Sequence, residues 1–219
     1  KLLGGSASSN EVVTRVGNPA CTVNTTIQLS LDSLPGKSGA YIILPDGKTA
    51  GSNDITVMPA YSVIKLWVAA AVLDAVEKGR LHLNDTYTIT EKDKVLGTGT
   101  LQNEDLPKSV TYTTLLELML TVSDNTATNI LVKRIGGLEK VNTYIKENDY
   151  KETVMERYIG DPNNQDRDNK TSAQDSATFM KNLFEKKVVN ESASNKIISL
   201  LEKRTQTEKK DFQYLNKEL

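Results

Sequence analysis

An almost entirely apolar helix is the strongest constraint on how this chain can fold. Residues 62–79 read SVIKLWVAAAVLDAVEKG, and their first turns hold no polar side chains except Ser62 and Lys65. A helix that is apolar on every side is buried on every side. We therefore predict that residues 62–79 form a central helix with other elements packed around it.

Ser62 and Lys65 are the chemically interesting residues of this helix. Their spacing places both on one face, one turn apart. A buried lysine has to be paired or deprotonated, because an isolated charge is very unfavourable in a dry interior. An amine beside a serine is suited to accept the hydroxyl proton and so to create a nucleophile. S-x-x-K alone is weak evidence, however, because chance matches are common in a chain rich in Ser and Lys.

Composition excludes several classes of function. The chain has 219 residues and can bury a sizeable core, as one domain or as two interleaved lobes. Its formal net charge of −1 gives no electrostatic reason to expect a nucleic-acid partner. No apolar run is long enough for a transmembrane segment. Cys21 is the single cysteine, and no cluster of His and Cys indicates a zinc site, so we predict no disulfide, metal or cofactor.

The single histidine limits the catalytic alternatives. A Ser-His-Asp triad would have to use His82. This residue alternates with Leu81 and Leu83 in the polar stretch that follows the apolar helix. We expect His82 to lie at the surface.

The amino-terminal part of the chain is predicted to contain a β-hairpin. Residues 1–25 are rich in Gly, Ser and Asn and are predicted to be loosely ordered. Residues 26–60 are predicted to form the first part of an α/β lobe. Within them, the apolar run at 39–44 is followed by Pro45-Asp46-Gly47, a strong turn signal, and Lys48 begins the return strand.

The remainder is predicted to be mainly helical. Residues 61–204 form this helical lobe, and residues 205–219 are a tail that leads to C-terminal strands. Residues 151–170 lack a helical pattern and hold many Asp, Asn and Arg, which indicates a long ordered loop. Thr171 or Ser172 can N-cap the helix that follows the loop. Further helices are predicted over 111–120, 127–135, 138–147 and 192–203.

A second polar motif, Ser123-Asp124-Asn125, lies between two helical segments. A tight turn there would aim Ser123 and Asn125 into a cleft. All three residue types also cap helices well, and the two interpretations are compatible. Gly97-Thr98-Gly99 is flexible enough to be either a loop lining a cleft or a plain surface turn.

With both motifs in place, the chain resembles the serine β-lactamases and penicillin-binding proteins, and among them the class A-like serine hydrolases. The resemblance runs from about Tyr41 to Leu201. It includes the hairpin, the apolar helix, S-D-N, the loop, and Asn169-Lys170-Thr171-Ser172. It implies an α+β, β-lactamase/transpeptidase-like fold, in which an antiparallel sheet packs with helices beside an all-helical lobe.

The resemblance also implies roles for individual residues. Ser62 would be the nucleophile that forms an acyl-enzyme, and Lys65 would activate it as base or proton relay. Ser123 would pass a proton to the leaving nitrogen, and Asn125 would hydrogen-bond the substrate's side-chain amide. Asp124 would hold the turn. The implied substrate is a small molecule, either a β-lactam or a peptidoglycan-like peptide, and the implied location is extracytoplasmic.

One departure from the class A pattern lies in the 151–170 loop. Class A enzymes that deacylate quickly carry a Glu within R-x-E-x-x-L-N, and this pattern is absent here. Aligning Arg167-Asp168 with the loop's closing Arg-Asp places Met155 at the Glu position, with Glu156 one residue away. Glu156 is therefore a candidate deacylation base, and the alternative is a solvated or salt-bridged side chain.

Further loop residues resemble the relatives that lack this Glu. The spacing of Arg157 and Asp161 is similar to theirs, and Asn169 belongs to the N-x-T-[S/T] motif. We assign structural roles near the site to these residues. Without a positioned base, the acyl-enzyme is expected to hydrolyse slowly.

A second departure is the absence of K-T-G, since the chain ends at Leu219, about where that strand should begin. In the family, the K-T-G strand supplies an oxyanion N–H and the edge against which substrate lies. We therefore expect C-terminal strands to be missing because the chain is cut, truncated or completed by a complementing C-terminal segment. The alternative is a natural domain that ends here.

Three functions remain open on the sequence alone. The first is a class A β-lactamase-like serine hydrolase. The second is a D-alanyl-D-alanine peptidase or esterase of the penicillin-binding kind with slow deacylation. The third is a non-catalytic binding or sensor module of the same fold. The reactivity of Ser62 and the lifetime of its adduct distinguish them.

Overall fold

The computed structural model describes residues 19–164 and 166–207, and its regular structure is dominated by helices. The α-helices are α1 (Pro19–Asp32), α2 (Lys65–Glu77), α3 (Tyr112–Thr121), α4 (Asn125–Arg134), α5 (Leu138–Glu147), α6 (Ala173–Phe184) and α7 (Glu191–Thr207). The strands are β1 (Ala40–Ile43), β2 (Thr49–Ser52), β3 (Met58–Pro59), β4 (Thr86–Ile89), β5 (Lys108–Thr111) and β6 (Lys170–Thr171). Short 3₁₀ turns are formed at Tyr61–Ile64, Glu91–Asp93, Leu101–Asn103 and Pro162–Asn164.

Helix α2 is the buried central helix that the sequence predicts. It begins as the 3₁₀ turn Tyr61–Ile64 and continues as an α-helix from Lys65. Trp67 and Val68 are fully buried. Helices α3, α4, α5 and α7 all contact α2. The three successive alanines after Val68 carry small side chains, which allow these neighbours to approach closely.

Aromatic contacts connect α2 to the segments that follow α5. The Trp67 ring centroid lies 5.6 Å from that of Tyr150 in an edge-on arrangement. It lies 5.2 Å from the ring centroid of Phe179 on α6. The 151–170 loop, which runs between Tyr150 and α6, is therefore anchored to the core at both ends.

The strands form short antiparallel pairs: β1 with β2, β3 with β6, and β4 with β5. The predicted hairpin is confirmed, with Ala40 opposite Ser52 and Ile43 opposite Thr49. Gly47 closes its turn with a φ of +82°, a conformation that favours glycine. Helix α1 packs against β2, and α6 packs against β1.

The pairing of β3 with β6 fixes the geometry around Ser62. Met58 lies opposite Thr171, and Pro59 lies opposite Lys170. Next to this pair, the Ala60 N–H donates to the Asn169 carbonyl at 2.7 Å. The chain just before Ser62 is thus held against the end of the 151–170 loop.

The amino-terminal prediction is wrong for residues 19–25. Helix α1 starts at Pro19 and crosses the predicted boundary at residue 25, so this part is helical instead of loosely ordered. Packing of α1 against β2 stabilises a helix whose local sequence signal is weak. Residues 1–18 of the predicted loose segment, and residues 208–219 of the predicted tail, lie outside the described residues.

The other predicted helices are present, with small differences at their ends. The predicted helix 138–147 corresponds to α5 without a shift. Helix α4 starts two residues earlier than predicted, and α7 continues to Thr207, beyond the predicted end at Lys203. Ser172 is the N-cap of α6, because its side chain accepts a hydrogen bond from the Asp175 N–H at 3.1 Å.

His82 is exposed, as expected. None of the described helices is both long and apolar enough to cross a membrane.

Candidate active site

The 3₁₀ turn before α2 places Ser62 and Lys65 in different environments. Tyr61 has a φ of +44°, in the left-handed region that is unusual for a bulky side chain. Ser62, which follows it, is exposed to solvent. Lys65, one turn later, is only 3% exposed. A hydroxyl that substrate can reach therefore lies one turn from a buried amine.

Lys65 is held by the S-D-N turn. Its Nζ donates to the Ser123 carbonyl at 2.5 Å, to Ser123 Oγ at 2.9 Å and to Asn125 Oδ1 at 2.9 Å. These acceptors match the three protons of an ammonium group. Burial lowers the pKa of Lys65 to about 8, while the Asp124 carboxylate partly offsets this effect and the Arg204 guanidinium adds to it. Near neutral pH, the buried lysine can therefore gain or lose a proton.

Ser123 connects Lys65 to Ser62. Its Oγ lies 3.0 Å from Ser62 Oγ and 2.9 Å from Lys65 Nζ. The hydrogen bonds thus form a chain from Lys65 through Ser123 to Ser62. This arrangement offers a route for proton exchange between Lys65 and Ser62 through the Ser123 hydroxyl.

Asp124 shapes the turn that presents Ser123. Ser123 has a φ of +54°, a conformation with a cost of about 1–3 kcal/mol that surrounding contacts must offset. Asp124 is 1% exposed, and its two carboxylate oxygens accept from the Ala127 N–H and the Leu101 N–H, each at 2.9 Å. Asp124 is the N-cap of α4. The S-D-N segment therefore caps a helix and lines the site at the same time.

Asn125 has a fixed amide orientation. Its Oδ1 accepts from Lys65 Nζ at 2.9 Å and from Thr98 Oγ1 at 3.1 Å. Its Nδ2 donates to the Leu96 carbonyl at 3.1 Å. Because donors face the oxygen and an acceptor faces the nitrogen, the amide cannot flip without losing these bonds.

The Gly97-Thr98-Gly99 loop lies against the S-D-N turn, so of its two sequence interpretations the structure supports the one that lines the site. The Asn125 N–H donates to the Thr98 carbonyl at 3.1 Å. A Cβ at Gly97 would come within 2.8 Å of Asn125 Nδ2, and one at Gly99 would overlap the Asp124 carboxylate. The Thr98 hydroxyl is a site contact that the sequence reasoning missed. The flanking glycines were the available signal, since they permit this close approach.

Two asparagines fasten the 151–170 loop to the helical lobe. On α4, Asn129 donates from Nδ2 to the Ile159 carbonyl and accepts at Oδ1 from the Ile159 N–H, both at 2.9 Å. On α5, Asn142 makes the same pair of bonds to Met155, at 3.0 and 2.8 Å. Each side chain replaces a missing backbone partner, which explains how an irregular loop is ordered.

Met155 and Glu156 point into different environments. Met155, at the position aligned with the class A Glu, is 1% exposed and belongs to the core. The Glu156 carboxylate pairs with Lys170 Nζ at 2.8 Å. Among the described residues, no hydrogen bond joins Glu156 to Ser62, Lys65 or Ser123. The salt-bridged alternative is the one that the geometry supports.

The remaining loop residues stabilise the loop itself. Arg157 pairs with Asp168 at 3.0 Å through its guanidinium, and its N–H donates to Asn169 Oδ1 at 3.0 Å. Asp161 accepts from the Asn163 N–H at 2.9 Å and from Asn164 Nδ2 at 2.7 Å, which folds the Pro162–Asn164 turn. Bonds to these neighbours hold the pKa of Asp161 below its usual value.

Comparison with known proteins gives the same family at the level of sequence and fold. The β-lactamase enzyme family matches residues 22–216. β-Lactamase BRO-1 of Moraxella catarrhalis is 33% identical over 112 residues, which make up 51% of this chain and 36% of that protein. The chain thus spans about a third of the length of this curated relative.

Two solved structures are similar over most of the chain. The β-lactamase from Sphaerobacter thermophilus DSM 20745 has a TM-score of 0.76 at 27% identity, covering 84% of this chain and 70% of that one. A mutant of PBP-A in an acyl-enzyme complex with penicillin G has a TM-score of 0.76 at 26% identity, covering 84% and 69%. The predicted α+β, β-lactamase/transpeptidase-like fold is confirmed, and the chain belongs to the β-lactamase enzyme family.

Proposed function

We propose that this protein is a class A β-lactamase-like serine hydrolase that forms an acyl-enzyme on Ser62 with a β-lactam or a related amide. The observation that carries the proposal is the chain of hydrogen bonds from buried Lys65 through Ser123 to exposed Ser62. The β-lactamase and penicillin-acylated relatives support the choice of substrate class.

The geometry supports a specific proton route for acylation. Ser62 Oγ attacks the carbonyl carbon while its proton passes to Ser123 Oγ, and the Ser123 proton passes to neutral Lys65. Opening of the amide then returns one proton through Ser123 to the leaving nitrogen. The Ser62 N–H, in the first turn where N–H groups lack intrahelical acceptors, donates to the developing oxyanion. Protons and charge balance without a cofactor.

Deacylation is proposed to be slow. A general base for this step has to reach the attacking water. Glu156 is the candidate that the sequence suggests for this role, but its carboxylate is paired with Lys170. Met155 presents a thioether to the core and cannot act as a base. A long-lived adduct would favour the D-alanyl-D-alanine peptidase or esterase alternative over rapid β-lactam turnover.

Labelling with a fluorescent penicillin tests the proposal. The wild-type protein is expected to retain one covalent label, which peptide mapping assigns to Ser62, and Ser62→Ala is expected to take up none. If neither natural β-lactams nor simple activated esters acylate the folded wild-type protein, the result would instead support the non-catalytic binding or sensor module.

We also propose an extracytoplasmic location, because β-lactams act on cell-wall synthesis outside the cytoplasm. The family resemblance supports this location. Fractionation of the native cells would find the protein in the extracytoplasmic fraction, and recovery with cytoplasmic markers would argue against it.

The proposal also includes a complementing segment beside the hairpin. An apolar groove of about 740 Å³ lies between β1 and α6 and is lined by residues that include Leu44, Met180 and Phe184. Phe184 is 83% exposed. A strand added next to β1 would cover this apolar surface. With the complementing segment present, hydrogen exchange in β1 and around Phe184 is expected to be slow. Exchange at the rate of an open surface would contradict the proposed segment.

A further inference from the structure

The single hydroxyl proton of Thr98 is shared between two of the three acceptors of Lys65. Thr98 Oγ1 lies 2.7 Å from the Ser123 carbonyl and 3.1 Å from Asn125 Oδ1. Lys65 Nζ lies 2.5 Å from the first of these oxygens and 2.9 Å from the second. The two donors therefore converge on one pair of oxygens.

This convergence bears on the direction of the Lys65 lone pair. A neutral amine keeps two N–H donors and has one lone pair. If the two N–H groups point to the Ser123 carbonyl and Asn125 Oδ1, the lone pair faces Ser123 Oγ, the third partner of Lys65. The positions of the two oxygens thus set the direction in which the amine can accept a proton.

The Thr98 loop is itself well fixed. The Thr98 carbonyl accepts from the Asn125 N–H at 3.1 Å, so backbone and side chain both bind the S-D-N turn. Gln102 braces the loop, since its Oε1 accepts from the Gly97 N–H at 3.0 Å and its Nε2 donates to the Gly99 carbonyl at 3.0 Å. Gly97 and Gly99 have φ values of +114° and +109°. The hydroxyl is delivered by a preorganised loop.

We propose that Thr98 is a positioning residue for acylation, whose hydroxyl holds the Ser123 carbonyl and the Asn125 amide so that Lys65 directs its lone pair at Ser123 Oγ. The inference rests on the proposed function, since it concerns the acylation step. Thr98 acts through its neighbours and needs no contact with substrate.

The inference predicts a change in pH dependence. The Thr98 hydroxyl places the positive end of its dipole on oxygens that also attract the Lys65 ammonium, so it disfavours the charged amine. Removal of the hydroxyl should raise the pKa of Lys65. The other charges that act on Lys65, the Asp124 carboxylate and the Arg204 guanidinium, are unchanged by the substitution.

The test compares Thr98→Val with two variants that keep the site hydroxyl. Thr98→Ser retains the hydroxyl and is expected to behave as wild type. Thr100→Val makes the same change two residues along the loop, where the Thr100 side chain makes no capping bond. Thr98→Ala serves as a second hydroxyl-free variant if Thr98→Val fails to fold.

The readout is the rate constant for acylation by a fluorescent penicillin between pH 6 and pH 10. For Thr98→Val the midpoint of the rise is expected to shift up by about half a pH unit, which lowers the rate at pH 7 about threefold. Thr98→Ser and Thr100→Val should keep the wild-type midpoint. An unchanged midpoint in Thr98→Val is the result expected if solvent takes the place of this exposed hydroxyl, and it would overturn the inference.

A second readout separates this inference from the proposed function. The ¹³Cε signal of Lys65, assigned with a Lys65→Arg variant, reports the titration of the amine without any reaction. If wild type is not acylated, the proposed function fails, but the titration still decides the role of Thr98. An upward shift in Thr98→Val supports the inference, and coincident titrations contradict it.

Discussion

At the scale of single residues, the site depends on the contrast between an exposed hydroxyl and a buried amine. Ser62 is open to solvent, while Lys65 is buried and bonded to Ser123 and Asn125. Burial disfavours the ammonium form, which lowers the pKa of Lys65 to about 8. The neutral amine required by the proposed mechanism is therefore available at mildly basic pH.

The rate of acylation should rise with pH because of this titration. Lys65 is charged below its pKa of about 8 and neutral above it, so the rate is expected to increase from pH 6 and level off above pH 9. Stopped-flow or gel-based labelling by a fluorescent penicillin measures the profile. A rate that is flat from pH 6 to pH 9 would mean that the titration of Lys65 does not control acylation.

The S-x-x-K and S-D-N residues could be recognised from the sequence because their identity and order carry the signal. Thr98 could not be, because its role arises from a contact with Ser123 that the loop conformation creates. The sequence leaves two alternatives for Glu156, a deacylation base or a solvated or salt-bridged side chain, and the contact with Lys170 that favours the second arises only from the fold of the loop.

At the scale of secondary-structure elements, the turn before α4 and the 151–170 loop determine the site. Asp124 satisfies two backbone N–H groups, one in α4 and one in the 97–103 region. Asn129 and Asn142 hold the loop in the same way. Side-chain bonds to irregular backbone therefore position the functional elements.

Loss of the Asp124 carboxylate should destabilise the protein. Asp124→Ala removes the N-cap of α4 and leaves the buried Leu101 N–H without its acceptor, so the free energy of unfolding is expected to fall by about 1–3 kcal/mol. Urea unfolding followed by circular dichroism measures this change. Asp46→Ala, at an exposed turn, is the control, and its free energy of unfolding should lie close to that of wild type. Equal urea midpoints for wild type, Asp124→Ala and Asp46→Ala would refute the role of Asp124.

The 151–170 loop gives a prediction about turnover. Glu156→Gln should change the lifetime of the penicillin adduct less than twofold, because the carboxylate is engaged by Lys170 and is not bonded to the Ser62 cluster. The decay of the labelled band over time provides the measurement, with Glu152→Gln as a matched control in the same loop. A lifetime at least tenfold longer in Glu156→Gln alone would identify Glu156 as the deacylation base.

At the scale of the whole molecule, α2 joins the site to the core. The helix that begins beside Ser62 carries Trp67, which packs against Tyr150 and Phe179. The sequence predicted this helix because its apolar run is continuous and local. It did not predict α1, whose formation depends on packing against β2, a contact between segments distant in sequence.

Trp67 offers a test of this core. Trp67→Ala is expected to lower the free energy of unfolding by about 3–5 kcal/mol. Trp67→Phe should have a smaller effect, because it keeps an aromatic ring and removes an indole N–H that is buried without a hydrogen-bond partner among the described residues. Denaturant unfolding monitored by circular dichroism gives both values, and equal losses for the two variants would contradict the account of this contact.

The central claim is that Lys65 acts on Ser62 through Ser123. Its most direct test is the rate constant for penicillin acylation of Ser62 in Ser123→Ala compared with wild type, with the adduct mapped by mass spectrometry. The account predicts a fall of about 10²–10⁴-fold, as expected for the loss of a proton-transfer group. A Ser123→Ala protein that is acylated at Ser62 at the wild-type rate would contradict it.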